Sequence, residues 1–253
     1  SGARRHVQQQ DPKRQPVYLR IGTSDEATGQ SRGSSVLRFD GEDDHLRVME
    51  VNQKWADFTL FMVAAPHSNF GTFRGLFAFN QRDRRDYETG FTLDLNATGS
   101  ASFSDLNLEG RGFGGARNLM KDSVPFGTLH VIECVADSKA KLVRLVVDGK
   151  PAGTRPYSPT ELVCDDITIG ARHYTNGPGP QEVRGFFHGD IAEILLFSRV
   201  LSEQETTSVR TYLNAKHAAL KEALPRELKL AGAGTNHEPL VVVKDPPPIQ
   251  MLI

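Results

Sequence analysis

The apolar run from residue 185 to residue 199 (GFFHGDIAEILLFSR) constrains the fold more than any other part of the chain. Successive side chains of a strand point to opposite faces, so the run divides into two sets. One face would carry Ile191, Glu193, Leu195 and Phe197, and the other Ala192, Ile194 and Leu196. Apolar residues on both faces predict a central strand covered on both sides, with other strands assembled around it. Glu193 is the exception, because a buried carboxylate needs a partner, either an arginine or backbone N–H groups.

The rest of the chain predicts an all-β architecture. About ten short apolar segments are separated by turn signals such as Asp148-Gly149, a pattern typical of a β-sandwich or barrel. Among these segments, residues 91–96 and 101–104 predict a hairpin. One helix is predicted after the central strand, where Ser202 and Glu205 form a capping box and Pro225 ends the helical period.

The composition changes at both ends of this central region, so three segments are expected. Residues 1–33 form a polar, basic arm whose short apolar patch at 17–21 predicts an edge strand. Residues 34–224 form the β-sandwich with its C-terminal helix, and residues 225–253 form a proline-rich linker or docking tail. The apolar end of the tail is expected to dock on this domain, on another copy or on a neighbouring domain.

Composition also bears on partners and compartment. The formal net charge is −1, so no overall charge directs the chain to nucleic acid or to an anionic membrane surface. No apolar run is long enough for a membrane span. Cys134 and Cys164 leave two alternatives open, a single disulfide outside the cytoplasm or two buried thiols.

Four local patterns resemble a known family. In chain order they are Phe39-Asp40-Gly41-x-x-Asp44-His45-Leu46, Leu145-Val146-Val147-Asp148-Gly149, Ile167-Thr168-Ile169-Gly170, and Gly189-Asp190-Ile191-Ala192-Glu193-Ile194 with Phe197-Ser198-Arg199-Val200-Leu201-Ser202. The ordered set resembles the laminin-G-like, concanavalin A-like family over roughly residues 34–200. The resemblance implies a jelly-roll sandwich of two antiparallel sheets.

The helix after Ser202 is similar to one found in bacterial versions of this module. These versions are often embedded in large cell-envelope proteins, some of which also carry cytochrome c domains. The resemblance therefore implies an extracytoplasmic bacterial protein, periplasmic, cell-surface or secreted, with further domains beside this one.

The same family contains glycoside hydrolases and polysaccharide lyases, so catalysis has to be considered. A retaining glycosidase needs two carboxylates about 5–5.5 Å apart, and in the family a Glu-x-Asp-x-x-Glu pattern provides them. The chain has no such pattern. Its nearest equivalents are Asp94 alone and Glu133 with Asp137, which we interpret as surface charges or ion-pair partners. No catalytic residue is predicted, and a hydrolase or lyase is the least favoured function.

Calcium is the one cofactor that the resemblance implies, because many relatives hold a structural or ligand-bridging Ca²⁺. The matching turn regions carry Asp40, Asp43, Asp44 and Asp190, and Ca²⁺ prefers carboxylate oxygens. The alternative is that Asp40 and Asp44 make Asx-type hydrogen bonds within their turns. Both interpretations stay open on the sequence.

Binding sites of β-sandwiches lie on rim loops or on the concave face. Two loops, 67–74 and 173–180, combine aromatic rings with the planar hydrogen-bonding groups that a sugar needs. The candidate ligand-binding residues are His67, Asn69, Phe73, Arg74, Tyr174 and Asn176. This hypothesis predicts that the two loops converge and that Phe73 or Tyr174 is exposed. The alternative is ordinary loop composition.

The favoured function is a non-catalytic module that binds carbohydrate or another extracellular ligand within a larger multidomain protein. A close alternative is a structural domain that docks neighbouring domains or subunits through its arm and tail. The first predicts a glycan as the partner. The second predicts that residues 1–30 and 240–253 are extended and pack on another chain or domain.

Overall fold

The computed structural model describes residues 4–6, 9, 11–20, 34–95, 99–230, 241–242 and 250–252. In chain order the strands are β1 (Arg4–His6), β2 (Val17–Arg20), β3 (Ser35–Asp40), β4 (Leu46–Val48), β5 (Gln53–Trp55), β6 (Phe58–Pro66), β7 (Arg74–Asn80), β8 (Phe91–Leu95), β9 (Asn107–Gly110), β10 (His130–Asp137), β11 (Leu142–Val147), β12 (Lys150–Pro156), β13 (Leu162–Cys164), β14 (Asp166–Ile169), β15 (Arg172–His173), β16 (Val183–Arg184), β17 (His188–Phe197), β18 (Val241–Val242) and β19 (Gln250–Leu252). The helices are a 3₁₀ turn (Pro12–Arg14), α1 (Asp86–Thr89), α2 (Glu203–Lys216) and α3 (Ala218–Leu230).

Two antiparallel sheets form the predicted sandwich. The larger sheet has eight strands in the order β12-β11-β10-β6-β17-β3-β2-β18, and the smaller has five in the order β4-β14-β7-β8-β9. A hydrophobic core includes Leu60 and Met62 of β6 together with Phe77 and Phe79 of β7. The core therefore lies between the two sheets, as expected for aromatic and aliphatic side chains that alternate along each strand.

The apolar run forms β17, which lies between β6 and β3 in the larger sheet. Both of its faces are covered, as predicted, but the division of its residues between the faces differs. A β-bulge between Ile191 and Glu193 shifts the register against β6. Ile191 therefore joins Leu196 in the core between the sheets, while Leu195 and Phe197 pack on the opposite face. One extra residue reverses the alternation of a strand, and periodicity alone does not reveal it.

Helices α2 and α3 cover the outer face of the larger sheet. Their Leu213, Leu220 and Leu224 pack in a second hydrophobic cluster with Phe61 and Val63 of β6. This cluster is the second cover of β17, so the central strand is enclosed by a sheet on one side and by helices on the other.

The start of this helical region is as predicted, and its end is not. The capping box of Ser202 and Glu205 is present at the N-terminus of α2. The prediction of one helix that ends at Pro225 is wrong, because α2 ends at Lys216 and α3 continues through Pro225 to Leu230. A proline removes one backbone hydrogen bond of a helix, but the turns before and after it can still form.

Glu193 is partnered by the end of α2. Its carboxylate lies 2.9 Å from Nζ of Lys216 and 2.7 Å from Nε2 of His217. Burial raises the pKa of Glu193, but the hydrogen bonds from His217 and Lys216 outweigh it and hold the pKa below its usual range. The predicted partner, an arginine or backbone N–H groups, is therefore wrong, because periodicity does not show which helix end reaches the strand.

The described parts of the arm and the tail pair with strands of this chain. Residues 17–20, part of the predicted edge strand, pair with β3, but β18 pairs along their other side. Strands β1 and β19 form a separate two-stranded ribbon. The remaining residues of the arm and tail lie outside the described ranges.

The hairpin predicted from residues 91–96 and 101–104 is wrong. Strand β8 pairs with β9, and this pairing places Glu109 opposite Thr92. Between the two strands, the hydroxyls of Ser100 and Ser104 donate to the carbonyl oxygen of Ser102. Such local side-chain bonds compete with a strand ladder.

Two predictions from composition concern the cysteines and the membrane. Cys134 in β10 and Cys164 in β13 are buried thiols and not a disulfide, the second of the two alternatives. None of the described helices has the length and apolar character needed to cross a membrane.

Candidate functional site

The two loops predicted to converge do so, and they line one cleft of about 430 Å³. The cleft is lined by Gly41, Thr72, Arg74, Tyr174, Asn176, Arg184, Gly185 and Phe186. These residues come from the turn after β3, the loop before β7 and the segment between β15 and β17. The cleft therefore lies at a rim of the sandwich, where loops are free to carry binding groups.

Arg74 holds the walls of the cleft together. Its Nη1 donates to the carbonyl oxygens of Gly41 and Phe186, each at 2.6 Å, and its Nε donates to the carbonyl oxygen of Phe70. Burial lowers the pKa of Arg74. The carbonyl oxygens replace water around the guanidinium. Arg74, a predicted ligand-binding residue, therefore mainly connects the loops that form the cleft.

Gly185 fixes the position of the segment between β15 and β17 at the cleft. The backbone N–H of Gly75 donates to the carbonyl oxygen of Gly185 at 2.8 Å. Gly185 has a φ of +66°, and a Cβ at this position would lie 2.2 Å from the carbonyl oxygen of Phe73. Only glycine permits this conformation and this approach together.

The prediction that Phe73 or Tyr174 is an exposed ring is wrong. Only 6% of Tyr174 is exposed, and its ring centroid lies 4.6 Å from the guanidinium carbon of Arg172. Phe73 is half-buried, and its ring lies 5.5 Å from the same guanidinium. The exposed ring is Phe70, with 66% of its surface accessible. It lies against Gly99, where an added Cβ would come within 2.7 Å of the ring.

His67 and Asn69, two further candidates, do not line the cleft. Nε2 of His67 is 3.0 Å from the carboxylate of Asp190. The amide of Asn69 donates to Oγ of Ser100 and to the carboxylate of Asp105. Both side chains are buried, so they support the loop from within and are closed to a ligand.

Two exposed side chains supply polar groups to the cleft. Asn176 accepts a hydrogen bond from the hydroxyl of Tyr87 at 3.2 Å, which leaves its amide N–H groups as donors. Arg184 is exposed and lies 5.8 Å from the ring of Tyr174. Among the described residues, no carboxylate forms an ion pair with Arg184. Arg184 was not among the predicted residues, because no local sequence pattern distinguishes it from an ordinary surface charge.

Three of the four predicted metal ligands come together beside the cleft. Carboxylate oxygens of Asp40, Asp43 and Asp44 all lie within 4.8 Å of one another, and Gly41 of the same turn lines the cleft. Burial raises the pKa of Asp44 to about 6, and the charges of Asp40 and Asp43 add to this effect. Crowded carboxylate oxygens of this kind are the ligands that Ca²⁺ prefers.

The same turn also makes the hydrogen bonds of the alternative interpretation. Oδ1 of Asp40 accepts from the backbone N–H of Glu42 at 2.8 Å, and Oδ2 of Asp44 accepts from the backbone N–H of Asp40 at 3.1 Å. These bonds shape the turn and occupy only part of the oxygen lone pairs, so they are compatible with a cation.

Asp190, the fourth predicted ligand, lies outside this group and the metal assignment is wrong for it. Its two oxygens accept from Nε and Nη2 of Arg38 at 2.8 and 2.9 Å, and His67 bonds to the same carboxylate. Burial raises the pKa of Asp190, but the hydrogen bonds from His67 and Arg38 outweigh it and lower the pKa. Asp190 is a buried ion-pair partner because β17 places it opposite Arg38 of β3.

A buried charge cluster lies behind the cleft. Arg172 binds Asp86 through two nitrogens, at 2.7 and 3.1 Å, and its Nη1 reaches Asp94 at 2.9 Å and Glu109 at 3.2 Å. Burial lowers the pKa of Arg172, but the surrounding carboxylates outweigh it and raise the pKa, so the guanidinium stays charged. Burial raises the pKa of Asp94 to about 7.

This cluster positions the rings of Tyr174 and Phe73 and is closed to a ligand. Asp86 and Asp94 are completely buried, and the rings of Tyr174 and Phe73 lie over Arg172. Asp94 is thus an ion-pair partner, as predicted. The other members of the cluster were not predicted, because they come from α1, β9 and β15 and meet only in the folded chain.

Comparison with known proteins places the chain in a family. A family model described as the concanavalin A-like lectin/glucanases superfamily matches residues 40–207. No curated protein was found to be similar to the chain.

Several solved structures are similar to the chain to different extents. A heptameric SAP-like pentraxin from Limulus polyphemus is 14% identical, with a TM-score of 0.53 over 78% of this chain and 82% of the pentraxin chain. The binding domain of botulinum neurotoxin DC in complex with SialylT is 10% identical, with a TM-score of 0.50 over 84% of this chain and 46% of the toxin chain. The CBM40 of the Ruminococcus gnavus IT-sialidase bound to α2,3-sialyllactose is 18% identical, with a TM-score of 0.44 over 62% of this chain and 83% of that chain.

The two-sheet sandwich, its rim cleft and the family match agree with the resemblance of the four sequence patterns. The chain belongs to the concanavalin A-like lectin/glucanases superfamily.

Proposed function

We propose that the chain is a non-catalytic module that binds a glycan in the rim cleft. The observation that carries this proposal is the exposed ring of Phe70 on the loop that also contributes Thr72 and Arg74 to the cleft. An exposed aromatic ring offers a flat apolar surface for the C–H face of a sugar. The amide of Asn176 and the guanidinium of Arg184 offer hydrogen bonds to its hydroxyl or carboxylate groups.

The charge of Arg184 favours an acidic sugar. An exposed guanidinium with no carboxylate partner among the described residues can form a bidentate hydrogen bond with a ligand carboxylate. The toxin binding domain of similar fold is in complex with SialylT. Acidic glycans are therefore expected to bind more tightly than neutral glycans of the same size.

A glycan array followed by calorimetry with the best ligand tests the proposal. Phe70→Ala should weaken binding by about fivefold, since stacking on an aromatic ring is worth about 1 kcal/mol. The matched control is Tyr212→Ala on α2, which removes another half-exposed ring far along the chain from the cleft loops. No binding to any array glycan, or equal binding by both variants, contradicts the proposal.

We further propose that Asp40, Asp43 and Asp44 hold a Ca²⁺ ion beside the cleft. The fit rests on the donor chemistry of three carboxylates within 4.8 Å, one of them with its pKa raised to about 6. A bound cation would offset their negative charge next to Arg184 and so favour an acidic ligand.

Calcium titration by calorimetry tests this site. Asp43→Asn is expected to abolish or strongly weaken binding, because the neutral amide removes one of the charged ligands. Glu42→Gln is the matched control, since Glu42 is a neighbouring exposed carboxylate outside the group of three. Equal calcium affinity in both variants, or none in the unaltered chain, contradicts the site.

The alternative function, docking of neighbouring domains or subunits, has less support. Strands β18 and β19 of the tail pair with β2 and β1 of the same chain. A version truncated after Leu224 should therefore stay monomeric like the full chain in light scattering. Assembly of the full chain alone would favour the docking function instead.

We propose an extracytoplasmic location in a multidomain bacterial protein on the family resemblance alone. Protease accessibility of the tagged parent protein in intact cells tests the location. Protection that is lost only when the inner membrane is opened would contradict it.

A further inference from the structure

The loop between β15 and β16 carries the one Asn-Gly dipeptide of the chain, Asn176-Gly177. In such a dipeptide the backbone nitrogen of the glycine can attack the asparagine side chain, because glycine has no Cβ to hinder the approach. The proposed glycan site uses the side chain of Asn176 but not the glycine that follows it. The dipeptide therefore supplies a chemistry that ligand binding does not require.

Both residues of the dipeptide lie at the exposed tip of the loop. The base of the loop is closed by the backbone N–H of Thr175, which donates to Oε1 of Gln181 at 2.7 Å. Beyond this bond, the backbone N–H of Gly177 has no hydrogen-bond partner among the described residues. The attacking nitrogen is therefore accessible and is not bonded in a strand ladder or a helix.

The phenol of Tyr87 is placed to promote the attack. Its hydroxyl donates to Oδ1 of Asn176 at 3.2 Å. The attack turns this carbonyl oxygen into an oxyanion, and a donor already in place stabilises the negative charge as it develops. Burial raises the pKa of Tyr87. The hydroxyl therefore stays a donor in the mildly alkaline range, where a backbone nitrogen loses its proton more often.

We propose that Asn176 is a deamidation site, and that its reaction places a carboxylate in the rim cleft as the protein ages. Hydroxide removes the N–H proton of Gly177, and the nitrogen attacks Cγ of Asn176. A new C–N bond forms, the amide nitrogen leaves as ammonia with a proton from water, and a cyclic succinimide remains. Water then adds to either carbonyl of the succinimide and breaks the bond of that carbonyl to the ring nitrogen, which gives aspartate or isoaspartate.

The product changes the charge of the cleft. The described residues that line the cleft include Arg74 and Arg184 and no carboxylate. The reaction replaces the amide donors of Asn176 with a carboxylate, which can pair with the guanidinium of Arg184 and repels an acidic ligand. An acidic glycan should therefore bind more weakly to aged than to fresh protein. This consequence, unlike the reaction itself, rests on the proposed glycan function.

Peptide mapping by mass spectrometry tests the reaction on the folded full chain, incubated at physiological temperature and mildly alkaline pH. Conversion is expected at Asn176. The internal control is Asn214, an exposed asparagine inside α2, where the next backbone N–H is bonded within the helix. Conversion at Asn176 that is no faster than at Asn214 overturns the proposal.

Gly177→Ala tests whether the glycine permits the attack. The added methyl group should slow conversion at least about tenfold by hindering the approach of the nitrogen. The loop has room for this group, since the nearest atom to a Cβ at Gly177 is Cγ2 of Thr175 at 3.9 Å. An unchanged rate in Gly177→Ala also overturns the proposal.

Tyr87→Phe keeps the ring and removes the donor. It should slow conversion by about two- to tenfold, the factor in rate that one neutral hydrogen bond supplies. Tyr212→Phe, on the exposed surface of α2, is the matched control and should leave the rate unchanged. An equal rate in the two variants overturns the role assigned to Tyr87.

Asn176→Asp reproduces one product without ageing and tests the effect on binding. Calorimetry should show a loss of affinity of about fivefold or more for an acidic glycan and a smaller loss for its neutral analogue. Equal affinity for the acidic glycan before and after full conversion overturns the effect on binding. If the unaltered chain binds no glycan, the proposed function fails, and the peptide map alone decides the deamidation site.

Discussion

Two arginines that approach the ring of Tyr174 have opposite surroundings. Arg172 lies 4.6 Å from the ring, is 2% exposed and binds three carboxylates. Arg184 lies 5.8 Å from the same ring, is exposed and has no carboxylate partner among the described residues. A buried charge has to be neutralised inside the protein, whereas an exposed one is solvated and can exchange water for a ligand. The first arginine therefore builds the wall of the cleft, and the second is available for binding.

The largest expected effect is that of removing the buried arginine. Arg172→Met keeps an apolar side chain of similar length but leaves Asp86, Asp94 and Glu109 without their cation. The free energy of unfolding should fall by about 3–5 kcal/mol, because the buried carboxylates lose the charge that compensates them. Urea unfolding at neutral pH measures this loss.

Arg184→Met is the control for this prediction. It removes the same group from an exposed position and should change the free energy of unfolding by less than about 0.5 kcal/mol. Equal losses in the two variants would show that burial does not distinguish the two arginines. If Arg172→Met does not fold, Arg172→Lys keeps the charge without the fork and should show an intermediate loss.

The pH dependence of stability is the next largest effect. The folded-state pKa of Asp94 is raised by burial to about 7, above its usual value of 3.8. Between these values the folded state binds more protons than the unfolded state, so stability falls as pH rises from about 4 to about 7. Asp94→Asn removes this titration and should make the slope less negative by up to about 1.4 kcal/mol per pH unit.

Urea unfolding at several pH values in this window measures both slopes. Glu88→Gln is the control, since Glu88 is an exposed carboxylate of α1 that lies outside the buried cluster around Arg172. A slope that is unchanged in Asp94→Asn would mean that Asp94 stays ionised in the folded chain at all these pH values.

The fold could be predicted well from the sequence because it depends on local patterns. The apolar run of β17 and the capping box at Ser202 are each contained in a few consecutive residues. The bulge after Ile191 could not be predicted, since an extra residue leaves no mark in an already apolar run. Pairing of β8 with β9 was also missed, because turn signals do not show which later segment a strand selects.

The candidate site was predicted less completely. The convergence of the two loops was predicted, since Arg74 and Asn176 line one cleft. The rings of Tyr174 and Phe73 pack against the guanidinium of Arg172, so neither is exposed. Phe70 makes no such contact and is exposed. That arginine acts through contacts between residues distant in the chain, and single-sequence patterns do not contain them.

Removing the exposed arginine should affect binding and not stability. Arg184→Met is expected to weaken the binding of an acidic glycan by about ten- to a hundredfold, because a hydrogen bond to a charged group is worth about 1.5–3 kcal/mol. Calorimetry with an acidic glycan and its neutral analogue measures the difference. Arg184→Lys should recover part of the affinity, since the charge remains. An equal loss of affinity for the acidic glycan and for its neutral analogue would show that Arg184 does not recognise the acidic group.

The smallest effects are expected at Tyr174, whose ring both arginines approach. Tyr174→Phe keeps the aromatic face and should change the free energy of unfolding by less than about 0.5 kcal/mol. Tyr174→Leu removes the face and should lose about 1–2 kcal/mol, since a desolvated cation over a ring is worth about this much. Urea unfolding of the two variants separates the contributions of the face and the hydroxyl. If Tyr174→Leu is as stable as Tyr174→Phe, the three carboxylates alone hold Arg172, and the ring serves only to shield the cluster from the cleft.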